Sequence, residues 1–196
     1  MPKAYQVQDP YFLKAKKEGY RARSVYKLQE IDEKFKLFRS QSSVLDLGCS
    51  PGSWLQYEAQ HSRGKIIGVD LKETEEVENC QTYVGDIFSF ELEQICARAG
   101  IKQFDLILSD MAPNTTGILD VDQYASVELN LRVLELIPQY LKPGGWAVMK
   151  IFRGADFNDF WFEAKKILPN IKTFKPNACR DRSYEIYCIG QRNRPE

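Results

Sequence analysis

Four ionisable side chains, each at the edge of an apparent helix or strand, are the residues of this chain best suited to chemistry. Their contexts are R-S-V-Y-K-L, L-S-D-M-A-P-N, V-M-K-I-F and S-Y-E-I-Y, and the residues are Lys27, Asp110, Lys150 and Glu185. Two lysines and two carboxylates around one hydroxyl can take its proton and stabilise the charge that develops on its oxygen. Lys150 lies in an apolar run, where lysine is rare.

Each of the other three residues also has an ordinary structural interpretation. Lys27 alone fits a solvated charge on an amphipathic helix. Asp110 could cap a turn, and Glu185 could lie on the polar face of an edge strand. The chemical interpretation therefore depends on all four side chains meeting in the fold.

A glycine-containing turn, D-L-G-C-S-P-G-S-W at 46–54, follows an apolar run and precedes a helix-length segment. Gly48 and Gly52 allow a sharp turn and a close approach of the backbone to a ligand. The first N–H groups of the following helix are free to bind. The sequence lacks the G-x-G-x-x-G and G-K-[ST] patterns of dinucleotide and phosphate loops. The turn predicts another kind of nucleotide cofactor site, or a plain strand–helix connection.

Carboxylates at the ends of the next two predicted strands favour the cofactor interpretation. Asp70 follows the turn by about twenty residues, where an acidic side chain can accept hydrogen bonds from ribose hydroxyls. Asp86 ends the third strand and could receive an adenine amino group, while Trp54 could stack on a ligand or pack in the core. Ligands of such sheets bind at the carboxyl ends of the strands.

Apolar runs that alternate with helix-length segments indicate an α/β fold with a mostly parallel sheet and helices on both faces. Strands are predicted at 43–48, 65–70, 81–86, 104–110, 146–152, 170–175 and 183–189. Helices are predicted at about 24–35, 53–62, 89–99, 121–141 and 156–168. The last two strands could form a hairpin-like pair, which would place one antiparallel strand in the sheet.

Length and composition fit one domain over residues 1–196, with a basic helical extension at about 10–40. Five cysteines without a C-x-x-C pair favour reduced thiols, and a single histidine cannot build a histidine metal site, so we expect no metal. The sequence has neither an apolar run of about 20 residues nor an apolar signal core, so we expect a cytoplasmic protein without a membrane span. We also expect a monomer, because no long exposed apolar stripe is evident.

The formal net charge of zero hides an uneven distribution. Residues 1–40 hold ten Lys/Arg against five Asp/Glu, residues 41–150 hold eight against sixteen, and residues 151–196 hold nine against six. The ends are therefore basic and the middle is acidic. Phosphate groups respond to local potential, so a neutral protein can still bind nucleic acid. Solvated helix faces would give the same pattern.

The motifs together resemble the FtsJ/RrmJ family of ribosomal RNA ribose 2′-O-methyltransferases over about residues 10–190. The resemblance rests on Y-F-L-K-A-K-K-E-G-Y-R-A-R-S-V-Y-K-L, D-L-G-C-S-P-G-S-W, S-D-M-A-P-N-T-T-G, L-K-P-G-G, V-M-K-I-F-R-G and R-S-Y-E-I-Y. It implies a Rossmann-like α/β fold with a seven-stranded sheet, one strand antiparallel, that binds S-adenosylmethionine. Two departures are Ser53, where many members have glycine, and the short acidic segment E-T-E-E-V-E-N.

The resemblance also implies the roles of individual residues. The implied catalytic set is Lys27, Asp110, Lys150 and Glu185, with Lys150 as the proton acceptor. Including the first glycine of the turn, the expected cofactor contacts are Gly48, Gly52, Trp54, Asp70, Asp86 and Asp110. We expect Lys27 to stabilise a developing alkoxide, and Asp110 and Glu185 to orient the lysines and the ribose.

A dense basic run near the N-terminus predicts an RNA-binding surface. Its cations are Lys14, Lys16, Lys17, Arg21 and Arg23, with Tyr11, Phe12 and Tyr20 between them. Arg180 and Arg182 lie shortly before Glu185. Such groups can neutralise phosphates and stack on unpaired bases.

The predicted activity is transfer of a methyl group from S-adenosylmethionine to a ribose 2′-hydroxyl of RNA, with a uridine of large-subunit ribosomal RNA or the large ribosomal subunit as substrate. Within that class, a tRNA ribose is the nearest alternative. A non-catalytic RNA-binding factor for ribosome assembly is a second alternative, although it would not need all four ionisable residues. A nicotinamide-dependent oxidoreductase is a third, although the dinucleotide glycine pattern is missing.

Overall fold

Seven strands form one sheet with helices on both faces in the computed structural model, which describes residues 9–89, 91–180 and 183–193. The helices are α1 (Pro10–Glu18), α2 (Val25–Phe35), α3 (Ser53–His61), α4 (Leu92–Ala99), α5 (Leu119–Tyr140) and α6 (Phe157–Ile167). The strands are β1 (Val44–Leu47), β2 (Ile66–Asp70), β3 (Cys80–Val84), β4 (Phe104–Ser109), β5 (Leu141–Phe152), β6 (Lys172–Phe174) and β7 (Glu185–Gln191).

The strand order is β3-β2-β1-β4-β5-β7-β6. Strands β1 to β5 pair in parallel, whereas β7 runs antiparallel to both β5 and β6. The predicted mostly parallel sheet with one antiparallel strand is therefore confirmed. The chain moves outward from β1 in one direction through β2 and in the other through β4. A crevice at the carboxyl ends of β1 and β4 is the place where such sheets bind ligands.

Most predicted boundaries agree with the structure within three residues, and the main difference is the start of β5. The predicted helix ends at 141 and the predicted strand begins at 146, yet β5 begins at Leu141 and includes the segment L-K-P-G-G. A register shift opposite Phe104 and Leu106 accommodates the extra residues. Gly144 and Gly145 then exchange backbone hydrogen bonds with Arg192 at 2.8 and 2.9 Å. Pairing with the chain after β7 therefore extends the strand.

The sheet separates two hydrophobic cores, because successive side chains of a strand point to opposite faces. Leu45, Ile107 and Met149 belong to the core under α4, α5 and α6. Val44 and Val148 belong to the core on the other face, which α1, α2 and α3 cover.

The basic N-terminal segment forms two helices that pack into the second core. α1 starts with Pro10 in its first turn and with the Asp9 side chain accepting a hydrogen bond from the Tyr11 N–H, and it ends at Gly19 in the left-handed conformation. α2 buries Val25, Tyr26, Leu28 and Ile31. The position of Lys27 is therefore determined by the packing of α2 on the sheet.

The described residues contain neither a helix long and apolar enough to cross a membrane nor a group of three or more His, Cys, Asp or Glu side chains placed to hold a metal ion.

We predict that Leu28→Ala lowers the free energy of unfolding by about 2–5 kcal/mol, since it leaves a cavity beneath α2. Leu28 is fully buried. Glu33→Ala, at an exposed position of the same helix, should change the free energy of unfolding by less than about 0.5 kcal/mol. Urea denaturation measures both variants. Equal effects would show that α2 does not depend on this packing.

Candidate active site

The four ionisable residues singled out in the sequence form two ion pairs. Lys27 Nζ lies 2.7 Å from Glu185 Oε1, and Lys150 Nζ lies 3.1 Å from Asp110 Oδ1. Lys150 Nζ also donates a hydrogen bond to the backbone carbonyl of Asp110. The four side chains are between 9% and 17% exposed. They form a small, largely desolvated group of alternating charge, which we call the charged cluster.

Strand pairing explains how residues so far apart in sequence meet. Ser109 pairs with Met149, so Asp110 and Lys150 follow side by side at the carboxyl ends of parallel β4 and β5. In the antiparallel pair β5–β7, Phe152 is opposite Glu185. α2 brings Lys27 to Glu185 from above the same face of the sheet.

Tyr187 is a member of this site that the sequence analysis missed. It pairs with Lys150 across β5 and β7, and its hydroxyl donates a 2.6 Å hydrogen bond to Asp110 Oδ1. Burial, and then the negative charge of Asp110, raise the pKa of Tyr187 well above its ordinary value. The phenol therefore stays protonated and holds the Asp110 carboxylate in place. Its spacing of two from Glu185 was the available signal, since such residues share a strand face.

A cavity of about 430 Å³ borders the charged cluster at the carboxyl ends of β1, β2 and β4. Of the predicted cofactor contacts, Gly48, Asp70, Asp86 and Asp110 line it. Its wall includes further residues that the sequence analysis did not identify: Leu47, Ser50, Pro51, Val69, Leu71, Lys72, Gly85, Ile87, Met111, Ala112, Asn114 and Leu129. The volume is within the range of pockets that hold small molecules, about 300–1,000 Å³.

The two carboxylates of the cavity wall are positioned by their own loops. Asp70 accepts hydrogen bonds from the backbone N–H groups of Ser50 and Lys72, both at 2.9 Å. Asp86 accepts one from the Phe88 N–H at 3.0 Å. A carboxylate has about four acceptor positions, so both keep capacity for hydroxyl or amino groups of a ligand.

The turn needs glycine at position 48 for a reason that the structure makes explicit. Gly48 has φ +82°, and a Cβ there would lie 2.6 Å from Met111 Cγ. Met111 also lines the cavity, so a side chain at position 48 would displace part of the cavity wall. Gly52, with φ +102°, is crowded by Arg21 Nη1 at 2.5 Å from an added Cβ.

Trp54 and Gly52 have structural positions rather than places in the cavity wall. Trp54 is 3% exposed, and its indole N–H donates to the Ser24 carbonyl at 2.9 Å. Its ring packs against Tyr187 at 6.1 Å between centroids. Within the described chain, the lining of the cavity includes neither residue. The geometry therefore assigns Trp54 to the core beneath the turn.

Arg21 connects the turn to the acidic segment between β2 and β3. Its guanidinium donates to the carbonyls of Pro51, Glu75 and Glu76 at 3.1, 2.8 and 2.8 Å. Five N–H groups in a planar fork make arginine suited to such a bridge. We predicted an RNA contact for Arg21 from its neighbours in sequence, but three of its five N–H groups already donate to backbone carbonyls within the fold.

Arg23 is likewise used within the protein, because it pairs with Asp9 and donates to the Ala178 carbonyl. Lys16 and Lys17 remain exposed on α1, and Lys14 lies 4.3 Å from the centroid of the Tyr26 ring. Arg180 is exposed as well, whereas Arg182 lies outside the described residues.

A buried carboxyl pair lies beneath the turn. Asp46 of β1 and Glu58 of α3 are fully buried, and no donor from the described residues reaches their carboxyl oxygens. Burial raises the pKa of both groups well above their ordinary values, and the negative charge of Asp46 raises the pKa of Glu58 further. The negative charges of Asp110 and Asp70 raise the pKa of Asp46 further. The pair is stable when it holds a proton, since one carboxyl group can then donate to the other.

We predict that this pair makes the protein less stable as pH rises above about 5. A raised folded-state pKa gives a contribution that is complete below the unfolded-state values, about 4, and is lost as the folded pair ionises. Glu58→Gln should flatten the fall in the free energy of unfolding between about pH 5 and 8, because it removes one titrating group and keeps a donor. Urea denaturation at several pH values measures the slope.

Glu33→Gln removes a carboxylate from an exposed site and should leave that slope unchanged. If both variants kept the wild-type slope of the free energy of unfolding against pH, the buried pair would not titrate in this range.

The sequence model of the FtsJ-like methyltransferase family matches residues 20–193. Ribosomal RNA large subunit methyltransferase E of Methanothrix thermoacetophila is 45% identical over 190 residues, which cover 96% of this chain and 74% of that protein. The protein of the same name from Bdellovibrio bacteriovorus is 42% identical over 190 residues, which cover 95% of this chain and 97% of that one.

A solved structure agrees with the family assignment. It is the crystal structure of a protein from Plasmodium falciparum described provisionally as a ribosomal RNA methyltransferase. The TM-score is 0.78 at 29% identity, and the match covers 89% of this chain and 98% of that one. The chain belongs to the FtsJ-like methyltransferase family.

Proposed function

We propose that this protein transfers a methyl group from S-adenosylmethionine to a ribose 2′-hydroxyl of RNA, and that large-subunit ribosomal RNA is its substrate. The observation that carries the proposal is the position of the Lys150–Asp110 pair at the edge of a ligand-sized cavity. The relatives named ribosomal RNA large subunit methyltransferase E support the choice of RNA.

The cavity suits S-adenosylmethionine by the chemistry of its wall. Asp70 and Asp86 offer acceptors for ribose hydroxyls and an amino group, and Gly48, which has no side chain, lines the same cavity. Apolar side chains of Leu71, Ile87 and Leu129 can cover a flat ring. The bound molecule supplies an electrophilic methyl carbon on a sulfonium centre.

The charged cluster determines where the acceptor hydroxyl must lie. In an in-line displacement, the oxygen approaches the methyl carbon from the side opposite the sulfur, and holding both partners in that line supplies much of the rate. Asp110 belongs to both the cavity wall and the cluster. The hydroxyl therefore binds beside the Lys150–Asp110 pair, at the mouth of the cavity.

Lys150 is the proposed proton acceptor. Its ammonium form has three N–H directions, of which two point at Asp110 Oδ1 and the Asp110 carbonyl. Lysine accepts a proton only as the neutral amine, so the ammonium form must first release one proton to solvent, and the third direction then carries the lone pair. The ribose hydroxyl would pass its proton to Nζ as its oxygen takes the methyl group. Tyr187 donates a hydrogen bond to the Asp110 carboxylate, and the fixed carboxylate keeps Lys150 Nζ oriented toward the substrate.

Lys27 and Glu185 act on the ribose side of the same reaction. Lys27 places a positive charge near the oxygen as its negative charge develops, and such preorganised charges stabilise transition states. Glu185 holds Lys27 at 2.7 Å and can accept a hydrogen bond from a neighbouring ribose hydroxyl.

We predict that Lys150→Ala lowers the rate of methyl transfer by about 10²–10⁴-fold, because the general base is lost. Binding of S-adenosylmethionine should stay near the wild-type value. The test incubates wild type and variant with the cofactor and with separated ribosomal RNA, tRNA and ribosomal subunits, then maps the methyl group by mass spectrometry. Lys102→Ala removes an exposed lysine that precedes the amino end of β4, away from the carboxyl end that carries the site, and should leave turnover unchanged.

The class of RNA that becomes methylated separates the alternative functions. A ribose methyl on tRNA alone would change the substrate, and cofactor binding without methylation of any RNA would favour an assembly factor. Near-normal turnover by Lys150→Ala would exclude Lys150 as the base.

The exposed lysines of α1 give a second prediction. Lys16→Glu combined with Lys17→Glu should weaken RNA binding and reduce the slope of log affinity against log salt by about 1–2, since each phosphate contact contributes about 0.7–0.9. Cofactor affinity should not change. Fluorescence anisotropy between about 50 and 200 mM salt measures this slope.

The control makes the same charge change elsewhere, with Lys165→Glu and Lys166→Glu in the last turn of α6. A salt slope equal to the wild-type slope in the α1 variant would show that RNA does not bind there.

A further inference from the structure

A second cavity, of about 420 Å³, lies beyond the charged cluster. Its wall consists of Thr115, Gly117, Leu119, Asp122, Phe152, Ser183 and Tyr184. Phe152 stands two residues after Lys150, and Tyr184 immediately precedes Glu185. Asn114 lines the first cavity and Thr115 the second. The two cavities therefore flank the cluster, one on the proposed methyl-donor side and one on the acceptor side.

Tyr184 is an exposed aromatic residue on a firmly held backbone. The residue is 59% exposed. The Arg153 N–H donates to its carbonyl at 3.0 Å, and Lys175 Nζ donates to the carbonyl of Ser183 at 2.8 Å. The Glu185 N–H donates to Ser183 Oγ at 3.2 Å. A large exposed ring whose main chain is fixed beside a reactive site suits contact with a ligand.

The rest of the wall favours an uncharged, flat ligand. Phe152 and Leu119 supply apolar surface. The Asp122 carboxylate accepts hydrogen bonds from Thr116 N–H, Thr116 Oγ1 and Gly117 N–H at 2.7, 2.9 and 3.2 Å, so it serves the loop. As far as the chain is described, the lining holds no lysine or arginine. Among these lining residues a phosphate would find no cation, whereas a nucleobase would find apolar and aromatic contacts.

The base nearest this cavity belongs to the nucleotide whose ribose faces Lys150. A ribose that presents its hydroxyl to Lys150 carries its own base within one nucleotide. Phe152 lies two residues after Lys150 and opposite Glu185, and Tyr184 immediately precedes Glu185. Single-stranded RNA is commonly held by stacking of unpaired bases on aromatic side chains.

We propose that Tyr184, with Phe152 and Leu119, forms a binding shelf for an unpaired base of the RNA substrate and so holds the acceptor ribose against the Lys150–Asp110 pair. This inference rests on the proposed function for the identity of the substrate. Tyr184 is a binding residue here, because the chemistry itself belongs to the charged cluster.

The first test measures binding of a fluorescent single-stranded oligouridylate by anisotropy at low salt. Tyr184→Ala should weaken binding about tenfold, because stacking on one base is lost. Tyr184→Phe keeps the ring and should remain within about twofold of wild type. Phe162→Ala removes an equally exposed ring, 65% exposed, from α6 and should not change the affinity.

A base-free probe separates stacking from other effects. An abasic ribose-phosphate oligomer of the same length should bind wild type and Tyr184→Ala equally, since it has no ring to stack. Equal loss with both oligomers, or a loss in Tyr184→Phe as large as in Tyr184→Ala, would overturn the shelf. An unchanged affinity of Tyr184→Ala for oligouridylate would also overturn the shelf.

Turnover distinguishes this inference from the proposed function. With ribosomal RNA, Tyr184→Ala should raise the KM for RNA about tenfold and change kcat less, with normal S-adenosylmethionine binding by calorimetry. A kcat loss with an unchanged KM would contradict the shelf. A wild-type protein that methylates no RNA would overturn the proposed function, while the oligomer comparison would still decide whether Tyr184 binds a base.

Discussion

The ion pair between Lys150 and Asp110 is the interaction on which the site depends. Both side chains are largely removed from water, so each needs the other: a buried charge left alone would destabilise the fold by several kcal/mol. Tyr187 completes the arrangement by donating to the same carboxylate. The pair stands where β4 and β5 end side by side, so the parallel register of these strands determines its geometry.

Two cavities lie near this pair: Asp110 lines one, and the other is lined by Phe152 and Tyr184, which are close in sequence to Lys150 and Glu185. The first is bordered by the carboxylates Asp70 and Asp86, which suit hydroxyl and amino groups. The second is bordered by Tyr184 and apolar side chains. The lysines of α1 lie outside both and are exposed, where phosphates can reach them. A formal charge of zero is therefore compatible with the proposed RNA substrate, because attraction is local.

The turn beneath the first cavity is supported on two sides by polar groups that do not line the cavity. Arg21 ties it to the acidic segment before β3 through the carbonyls of Glu75 and Glu76, and it pairs with the Glu75 carboxylate at 3.7 Å. Asp46 and Glu58 lie under it as a buried pair that retains a proton. The proposed cofactor site thus depends on residues whose contribution is structural and on a protonation state that pH can change.

Local pattern was enough to predict the strands, the helices and the four residues of the charged cluster, because alternation, helical spacing and glycine position are properties of neighbouring residues. Contacts between segments that are distant in the sequence could not be predicted from local pattern. Arg21 looked like a phosphate ligand and Trp54 like a cofactor contact, yet both have partners inside the fold. Tyr187 was missed, although it touches Asp110. The sequence by itself determined which elements form and which residue types they carry. Only the tertiary structure decided which donors are already occupied and which side chains face a cavity, since packing between remote segments sets both.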